Sequence, residues 1–298
     1  MIKIKIQAGL GNQLFQYALA RNIKEKTKKD VVLDLSFYTP NGIVKGDTIR
    51  GYELDKFNID ESIKLSYNLT PKIYIFLEKI IRRIFNLSSY VFYKRYLNSL
   101  DGSYLIGFWQ SEKYFKNIEN IIKKEFILKN PIENRDDNDL SKNILKQIQD
   151  SKYSISVNIR RGDYANNAEI RNYFGLISKD YFKKGIEYIN KKLKLEKENI
   201  NIFIFSDDIS WCESNLLELK EFGNLVFVSD YINSADTLYL MSNCKSNVIA
   251  NSSFSWWGAW LNRNTDKIII APKNWIKAKV NAKDVCPNEW IRLENSFY

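Results

Sequence analysis

The segment SISVNIRRGDY places two adjacent arginines directly after an apolar strand. Arg160 and Arg161 precede Gly162 and Asp163, so the strand ends in a tight turn that carries two guanidinium groups. Arginine, glycine and aspartate also make an ordinary solvated turn, which is the simplest interpretation of these residues in isolation. Two guanidinium groups can instead bind a diphosphate, because each presents a planar fork of N–H donors.

Polar residues also follow other predicted strands in this half of the chain, in the segments IFIFSDD, VFVSD and VIANSSFS. Parallel α/β sheets bind ligands outside the carboxyl ends of their strands, so these residues are expected at one edge. The segment Ser252, Ser253, Phe254 and Ser255 opens a predicted helix, whose free N–H groups and partial positive charge suit an anion. Alone this segment favours an ordinary helix cap with buried aromatic residues, but together with Arg160 and Arg161 it indicates a nucleotide diphosphate.

The segment AGLGNQ after the first strand has two interpretations. Its glycines, with Asp34 at the end of the next strand, imitate the dinucleotide fingerprint of NAD-binding proteins. The third glycine of that fingerprint is absent, because Leu14 stands in its place. The alternative is a tight turn in which Gly11 lets a ligand approach the backbone, while Asn12 and Gln13 direct their amides towards it.

The chain contains no histidine, which excludes catalytic triads, zinc motifs and general bases that depend on imidazole. Its three cysteines lie far apart without CxxC spacing, so they favour neither a disulfide framework nor a zinc site. Asp207 and Asp208 could hold a metal ion. A structural or guanine-binding role is favoured, because the arginines already supply the positive charge that a metal would bring. No metal and no other cofactor is expected.

The charge of the chain favours anionic partners. Lysine and arginine outnumber aspartate and glutamate by 45 to 35, which gives a formal net charge of +10. The lysines are spread over predicted helix faces and form no single basic block, so nucleic acid is not expected as a partner. The N-terminal residues MIKIKIQAGLGNQ lack the apolar centre of a signal peptide, so the protein is expected in the cytoplasm.

The elements that must position these residues alternate between strands and helices. A strand, a glycine turn, a helix and a second strand at 31–35 open the chain as a βαβ unit. The second half has strands at SISVNI, NIFIFS, NLVFVS, SNVIAN and DKIIIAP, separated by helical segments. The polar run at 130–143 has the composition of a linker. The sequence therefore predicts two α/β domains of Rossmann type, at 1–149 and 150–298.

The segment at 70–97 is apolar and aromatic but carries several charges. Charged residues such as Lys79 and Arg82 exclude a membrane span, which needs about 20 mostly apolar residues. Packing into the core is one interpretation of this segment. The other is a basic amphipathic face, at 72–97, that rests on a membrane surface.

Four motifs of the chain resemble those of one enzyme family. In this order, GLGNQLFQYA, IRRGDY, FSDDISWC and ANSSFSWWGAWL resemble the motif set of the bacterial α-1,2-fucosyltransferases of glycosyltransferase family 11. The matches extend from Gly9 to Leu261. The resemblance implies a GT-B fold, in which two Rossmann-like domains with parallel sheets face a central cleft, the first mainly for the acceptor and the second for a GDP-sugar. It further implies inverting, metal-independent transfer of L-fucose from GDP-fucose to the 2-hydroxyl of a galactoside.

The resemblance also assigns roles to single residues. Arg160 and Asp163 are the expected catalytic residues, with Arg160 on the β-phosphate of the donor and Arg161 beside it. Ser253 and Phe254, within the serine segment named above, match positions that hold the diphosphate through the backbone and a serine hydroxyl.

Three more residues complete the expected donor site. Asp236 matches a guanine-binding carboxylate, and Asn12 resembles an asparagine that reaches across the cleft to the donor. Asn158 stands where the family usually has histidine. Its amide can hydrogen-bond the nucleoside in place of the imidazole, but it cannot accept a proton as a base. The change also fits a different GDP-deoxysugar donor or a different acceptor.

Two functions of other classes stay open beside the transferase. One is an NAD-binding oxidoreductase built on AGLGN and Asp34. The other is a non-catalytic binder of nucleotide sugars or glycans, whose seven tryptophans stack on sugar rings. The transferase hypothesis implies a galactose-containing acceptor, lipid-linked in one version, in the synthesis of O antigen or another surface glycan. It would then act at the inner face of the cytoplasmic membrane.

Overall fold

The computed structural model describes residues 1–40, 51–68 and 72–298. These residues divide into two compact units, each an α/β domain built around its own parallel sheet. The predicted fold class, with two domains of parallel sheets and helices, is thereby confirmed. No helix in these ranges is both long enough and apolar enough to cross a membrane.

The two units do not meet at the expected boundary between 149 and 150. The first unit comprises 1–129 together with 281–287, and the other described residues form the second unit. The chain therefore enters the second unit well before the expected position. The cause is the helix that follows the polar run, because its Ser141 hydroxyl donates a hydrogen bond of 3.1 Å to Asp236 of the second unit.

The first unit contains a four-stranded parallel sheet. Its helices and strands, in chain order, are β1 (Ile2–Lys5), α1 (Leu10–Thr27), β2 (Val31–Asp34), β3 (Lys64–Ser66), α2 (Lys72–Ile84), β4 (Tyr104–Leu105) and α3 (Glu119–Glu125). The strand order is β3-β2-β1-β4. The chain adds β2 and β3 on one side of β1 and later places β4 on its other side. The order therefore reverses between β1 and β4, and such a switch point leaves a crevice for ligands at the carboxyl ends.

The second unit contains a six-stranded parallel sheet. Its helices and strands, in chain order, are α4 (Leu140–Asp150), β5 (Tyr153–Ile159), α5 (Gly162–Asn166), α6 (Ala168–Phe174), α7 (Lys179–Leu193), β6 (Ile200–Ser206), α8 (Ile209–Asn215), β7 (Asn224–Phe227), α9 (Ser234–Asn243), β8 (Ser246–Val248), α10 (Ser253–Trp260), β9 (Ile269–Pro272) and β10 (Ile291–Leu293). The strand order is β10-β9-β8-β5-β6-β7. Here the order reverses between β5 and β8, which places a second switch point beside the arginine motif.

The core of the second unit explains why its central strands read as nearly continuous apolar runs. Val157 and Ile204 of neighbouring strands are fully buried, and so is Ile186 of α7, which belongs to the same core. Parallel strands covered by helices on both faces have no polar side, so the alternation of apolar and polar residues disappears. This core fixes the height at which each strand ends.

Gly175 ends α6 in a conformation that only glycine adopts readily, with φ 80° and ψ 144°. A Cβ atom at this position would also collide with the ring of Phe297. Both effects oppose a side chain here, so the residue type follows from the backbone.

We expect Gly175→Ala to destabilise the second unit by about 1–3 kcal/mol, because it adds backbone strain and a collision. The melting temperature should fall by roughly 3–10 °C in a thermal scan. Gly51→Ala is the matched control, since among the residues that the structure describes no atom beyond its chain neighbours lies within 4 Å of its Cβ position, and its φ is not positive. Equal melting temperatures for the two variants would contradict this account of Gly175.

Candidate active site

The parallel register of β5 and β6 places the first arginine beside an aspartate. Ile159 pairs with Ser206, so both strands end at the same height, and Arg160 and Asp207 follow directly. The Nη1 atom of Arg160 donates to Asp207. Its Nη2 atom donates to Asp163 Oδ2 at 2.9 Å. One guanidinium group is therefore held between two carboxylates at the edge of the sheet.

The second arginine is held by the next aspartate of the FSDD segment. Arg161 donates from Nε to Asp208 at 3.1 Å, and its guanidinium carbon lies 3.6 Å from the centre of the Trp211 ring. The backbone N–H of Arg161 donates to Asp207 at 2.8 Å. A Cβ atom at Gly162 would collide with that carboxylate, which explains the glycine of the motif.

These contacts give Asp207 and Asp208 a structural role, since both orient arginines. The described ranges contain no group of three or more His, Cys, Asp or Glu side chains that could hold a metal ion. The arginines lie at the carboxyl end of β5, beside the switch point where such sheets bind ligands. Guanidinium groups in this position can bind a polyanion.

The start of α10 lies on the other side of this switch point, because β8 is the neighbour of β5 opposite to β6. Ser252 caps the helix by accepting the Phe254 N–H at 3.3 Å, as the alternative interpretation of the sequence expects. The hydroxyl of Ser253 makes no hydrogen bond within the described part of the chain, and this residue is partly exposed. A serine hydroxyl at a helix N-terminus is a suitable donor to an anion.

Tyr164 of α5 connects the arginine to the segment before α10. The guanidinium carbon of Arg160 lies 5.4 Å from the centre of the Tyr164 ring. The hydroxyl of Tyr164 donates to the carbonyl oxygen of Asn251 at 3.4 Å. Burial raises the pKa of Tyr164, so this hydroxyl keeps its proton and remains a donor. The structure thus brings the arginine motif and the serine segment together around one tyrosine.

Asn158 and Ser255, both expected at the donor site, bind protein groups in this structure. Asn158 is only 6% exposed and Ser255 is fully buried. The Ser255 hydroxyl donates to Asn158 Oδ1, and Asn158 Nδ2 lies 3.4 Å from the carbonyl oxygen of Phe205. The pair fastens α10 to the central strand beneath the site. Asn158 therefore positions the helix start, because its side chain points into the layer between sheet and helix.

Asp236 is also placed differently from the expected guanine-binding carboxylate. It is 2% exposed and accepts hydrogen bonds from both terminal nitrogens of Arg135, at 2.5 and 2.8 Å. Asn233 and Ser141 donate to the same carboxylate at 2.6 and 3.1 Å. Four donors occupy its two oxygens. The carboxylate therefore fastens the polar run and α4 to α9 in this structure, which leaves little capacity for guanine.

The glycine segment of the first unit forms the first turn of α1, which begins at Leu10. Gln13, expected to contact a ligand, is fully buried in this structure. Its amide donates to the carbonyl oxygens of Ala8 and Gly51 at 3.0 and 2.8 Å and accepts from a backbone N–H. Gly11 is buried in the same turn.

Asn12 remains partly exposed at this end of the sheet. Its Oδ1 atom accepts a hydrogen bond of 2.7 Å from Gln110 Nε2. The sequence patterns did not single out Gln110, which directly follows the apolar segment YLIGFW. Trp109, with φ 44°, marks the sharp turn that places Gln110 here. The position of Gln110 directly after an apolar, strand-like segment is the sequence signal that could have identified it.

Comparison with known proteins defines the class of this chain. Its fold resembles that of the fucosyltransferase NodZ from Bradyrhizobium, with a TM-score of 0.50 at 12% identity over 86% of this chain and 92% of that one. An alpha-1,2-colitosyltransferase of Escherichia coli is 35% identical over 306 residues, which cover 99% of each chain. The O-antigen biosynthesis glycosyltransferase WbnK of Escherichia coli is 32% identical, over 97% of this chain and 99% of that one. These matches define a glycosyltransferase.

The model of Glycosyl transferase family 11 matches residues 1–294, and the chain belongs to this family. The family membership overturns the hypothesis of an NAD-binding oxidoreductase. Asp34 agrees with this correction, because it is fully buried and accepts from Ser36 N–H at 2.8 Å and from the Tyr104 hydroxyl at 2.7 Å. It presents no carboxylate to a ribose.

The hypothesis of a non-catalytic binder is overturned as well, since the chain is an enzyme of this family. Its tryptophans are core residues for the most part and do not form a sugar-stacking surface. Six of the seven are buried, namely Trp109, Trp256, Trp257, Trp260, Trp275 and Trp290.

The structural role of Asp236 can be tested by Asp236→Asn. We expect a loss of about 2–4 kcal/mol in unfolding free energy, because the partly buried Arg135 loses the charge of its bidentate partner. The Kd for GDP should change less than about threefold, since the carboxylate does not reach the ligand. A thermal scan and a calorimetric titration measure the two quantities. A stable variant with much weaker GDP binding would restore the guanine-binding interpretation.

Proposed function

We propose that this enzyme transfers L-fucose from GDP-fucose to the 2-hydroxyl of a galactoside, with inversion at the anomeric carbon. The observation that carries the proposal is the edge of the second sheet. Arg160 and Arg161 follow the central strand there, and Ser253 opens a helix across the switch point. A diphosphate needs such a combination of guanidinium forks and helix N–H groups.

The relatives support this substrate class. The colitosyltransferase carries an alpha-1,2 linkage in its name, and WbnK is named for O-antigen biosynthesis. NodZ was also co-crystallised with GDP, and that structure matches with a TM-score of 0.50. We therefore assign the enzyme to O-antigen or other surface-glycan synthesis, with a galactose-containing acceptor.

A bound diphosphate would replace one of the two carboxylates that bind Arg160. Two arginines face three carboxylates in this cluster, namely Asp163, Asp207 and Asp208, so the cluster itself carries no net positive charge. A phosphate group can replace Asp207 on the fork of Arg160 while Asp163 keeps the guanidinium plane oriented. Asp163 is thus a positioning residue, and Arg160 is the group that contacts the donor.

The chemistry follows from where charge develops. The acceptor hydroxyl attacks the anomeric carbon as the bond to the β-phosphate oxygen breaks. Negative charge grows on the departing GDP, whose β-phosphate takes up the proton that the hydroxyl loses. Arg160 and the N–H groups at the start of α10 stabilise that charge in the transition state. We expect no metal ion in this step, because Arg160 and the helix N–H groups donate hydrogen bonds directly to the leaving phosphate.

A second donor is favoured by one specific observation, the 35% identity to an alpha-1,2-colitosyltransferase. GDP-colitose differs from GDP-fucose in lacking the 3-hydroxyl. A site that hydrogen-bonds this hydroxyl would reject colitose strongly, whereas a site without such a partner would distinguish the two donors weakly. The choice between the two GDP-deoxysugars therefore depends on a single contact.

Transfer from GDP-fucose to lactose tests the proposal, with GDP-colitose as the competing donor. Arg160→Ala should lower kcat by about 10²–10³, because one donor to the developing charge is lost. Arg292→Ala is the control, since Arg292 is an exposed arginine on β10 of the same unit. Wild-type turnover should persist in EDTA.

Three outcomes would contradict the proposal in different places. Activity of Arg160→Ala near that of the wild type would remove the arginine from the mechanism. Complete inhibition by EDTA would show that a metal takes part. If the wild type used only GDP-colitose, the proposed reaction class would stand, but the donor would be GDP-colitose and not GDP-fucose.

We also propose that α2 rests on a membrane surface at which lipid-linked acceptors are built. Four apolar side chains of this helix are exposed, at 56% for Ile73, 59% for Phe76, 46% for Leu77 and 70% for Ile84. Their spacing places them on one helix face. Because these side chains are exposed, they do not pack into the core of the unit. An exposed apolar face costs free energy in water and marks a surface that binds a partner or a membrane.

The sequence of α2 provides charge as well as apolar surface. KIYIFLEKIIRRI contains four basic residues and one acidic residue. Basic residues beside an apolar helix face are the pattern of helices that lie in the interface of anionic lipid. The proposed partner of this face is therefore an anionic bilayer.

Phe76→Ser/Leu77→Ser should weaken binding to phosphatidylglycerol vesicles by at least about 10², because two apolar side chains no longer enter the interface. Co-sedimentation measures the effect, and wild-type binding should fall at high salt. Leu217→Ser, at an exposed apolar residue of the second unit, is the control. Transfer to soluble lactose should be unchanged in all variants. Equal vesicle binding by the double variant and the wild type would contradict the assignment of this face.

A further inference from the structure

We infer that Gln110 is a positioning residue for Asn12, an inference that rests on the proposed transferase function. In this arrangement Gln110 fixes the amide of Asn12 so that its NH2 group faces outwards and donates to an oxygen of the bound substrate. Gln110 itself does not contact the substrate.

The two residues lie at the switch point of the first sheet. Asn12 belongs to the first turn after β1, and Gln110 follows β4, the neighbouring strand on the side where the order reverses. Switch points are where parallel α/β sheets leave a ligand crevice. The hydrogen bond between Gln110 Nε2 and Asn12 Oδ1, at 2.7 Å, joins the segments that follow these two strands.

Gln110 is held rigidly enough to impose an orientation. Its side chain is buried, since the residue is 8% exposed, and its backbone N–H donates to Ser89 at 2.8 Å. Trp109 before it is buried and left-handed, with φ 44°, and Ala8 near the end of β1 has φ 66°. Left-handed conformations of residues other than glycine persist only where the surroundings enforce them, and they concentrate at functional sites.

The neighbouring amides show why Asn12 is the one directed at a ligand. Gln16 donates to Gly107 O at 2.9 Å and accepts the N–H of Gln7 at 2.9 Å, so both of its groups bind backbone. Gln13 is fully engaged in the same way. In Asn12 the oxygen is engaged by Gln110, whereas Nδ2 makes no hydrogen bond within the described ranges. One oriented N–H donor is therefore left at the positive end of α1.

The partner of this donor must be an oxygen acceptor. A phosphate oxygen of the GDP-sugar and a hydroxyl of the acceptor glycan share that chemistry. Separate titrations of donor and acceptor distinguish them, because the KM of the substrate that contacts Asn12 should rise when the amide is turned.

Gln110→Glu reverses the orientation without changing the shape of the side chain. A carboxylate only accepts hydrogen bonds, so it would bind the NH2 group of Asn12 and turn the Asn12 oxygen towards the substrate. We expect kcat/KM to fall by about 10² near pH 8, since a donor is replaced by a repelling acceptor. Gln110→Met only releases the amide, and the expected loss is about 3–10-fold.

The pH profile separates this role from a merely structural one. Once protonated, the carboxyl group that Gln110→Glu introduces can again donate to Asn12 Oδ1. The activity of this variant relative to wild type should therefore rise as the pH falls from about 8 to about 5. Gln149→Glu introduces the same charge on an exposed residue of α4 and should show no such rise. The activities are normalised to the folded fraction, measured by circular dichroism at each pH, because a buried carboxyl group makes stability itself depend on pH.

Wild-type activity of Gln110→Glu at pH 8 would overturn the inference, and so would a profile parallel to that of the wild type. Recovery at low pH together with a raised KM for one substrate would support it. Failure of the proposed function is a different result, because the wild type itself would then transfer no sugar from a GDP donor.

Discussion

The pairing of β5 with β6 through Ile159 and Ser206 is the constraint on which the site depends. Because both strands end at one height, an arginine and an aspartate meet at the sheet edge, and Arg160 is held in a defined orientation before any ligand binds. A guanidinium fork already aligned needs little ordering when a diphosphate replaces the carboxylate. Preorganisation of this kind is the main source of electrostatic catalysis in proteins.

Each unit places functional polar groups at the reversal of its own strand order. In the second unit these groups are the arginines and the helix start at Ser253, with Tyr164 between them. In the first unit they are Asn12 and Gln110. Both arrangements use side-chain hydrogen bonds to neighbouring residues to orient partly exposed donors. The hydrogen bond between Ser255 and Asn158 likewise holds the start of α10 against the central strand.

The sequence predicted the α/β class and the loops that carry the arginines, because apolar strand patterns and glycine turns are local signals. It could not show which polar side chains form hydrogen bonds within the protein and are therefore not available to a ligand. Gln13 and Asp236 read as ligand contacts, but each is saturated by partners distant in sequence. The pairing of Gln110 with Asn12 likewise spans 98 positions. Contacts of this kind depend on the strand order of the folded sheet, which periodicity does not give.

The binding of GDP and GMP to wild type and Arg160→Ala tests the central claim most directly. The two nucleotides differ by the β-phosphate, which the account assigns to Arg160. Calorimetry should show that the wild type binds GDP about 10–100 times more tightly than GMP, as expected for a charged hydrogen-bonding pair, and that Arg160→Ala loses most of this preference. An equal preference for GDP in both proteins would contradict the contact between Arg160 and the diphosphate.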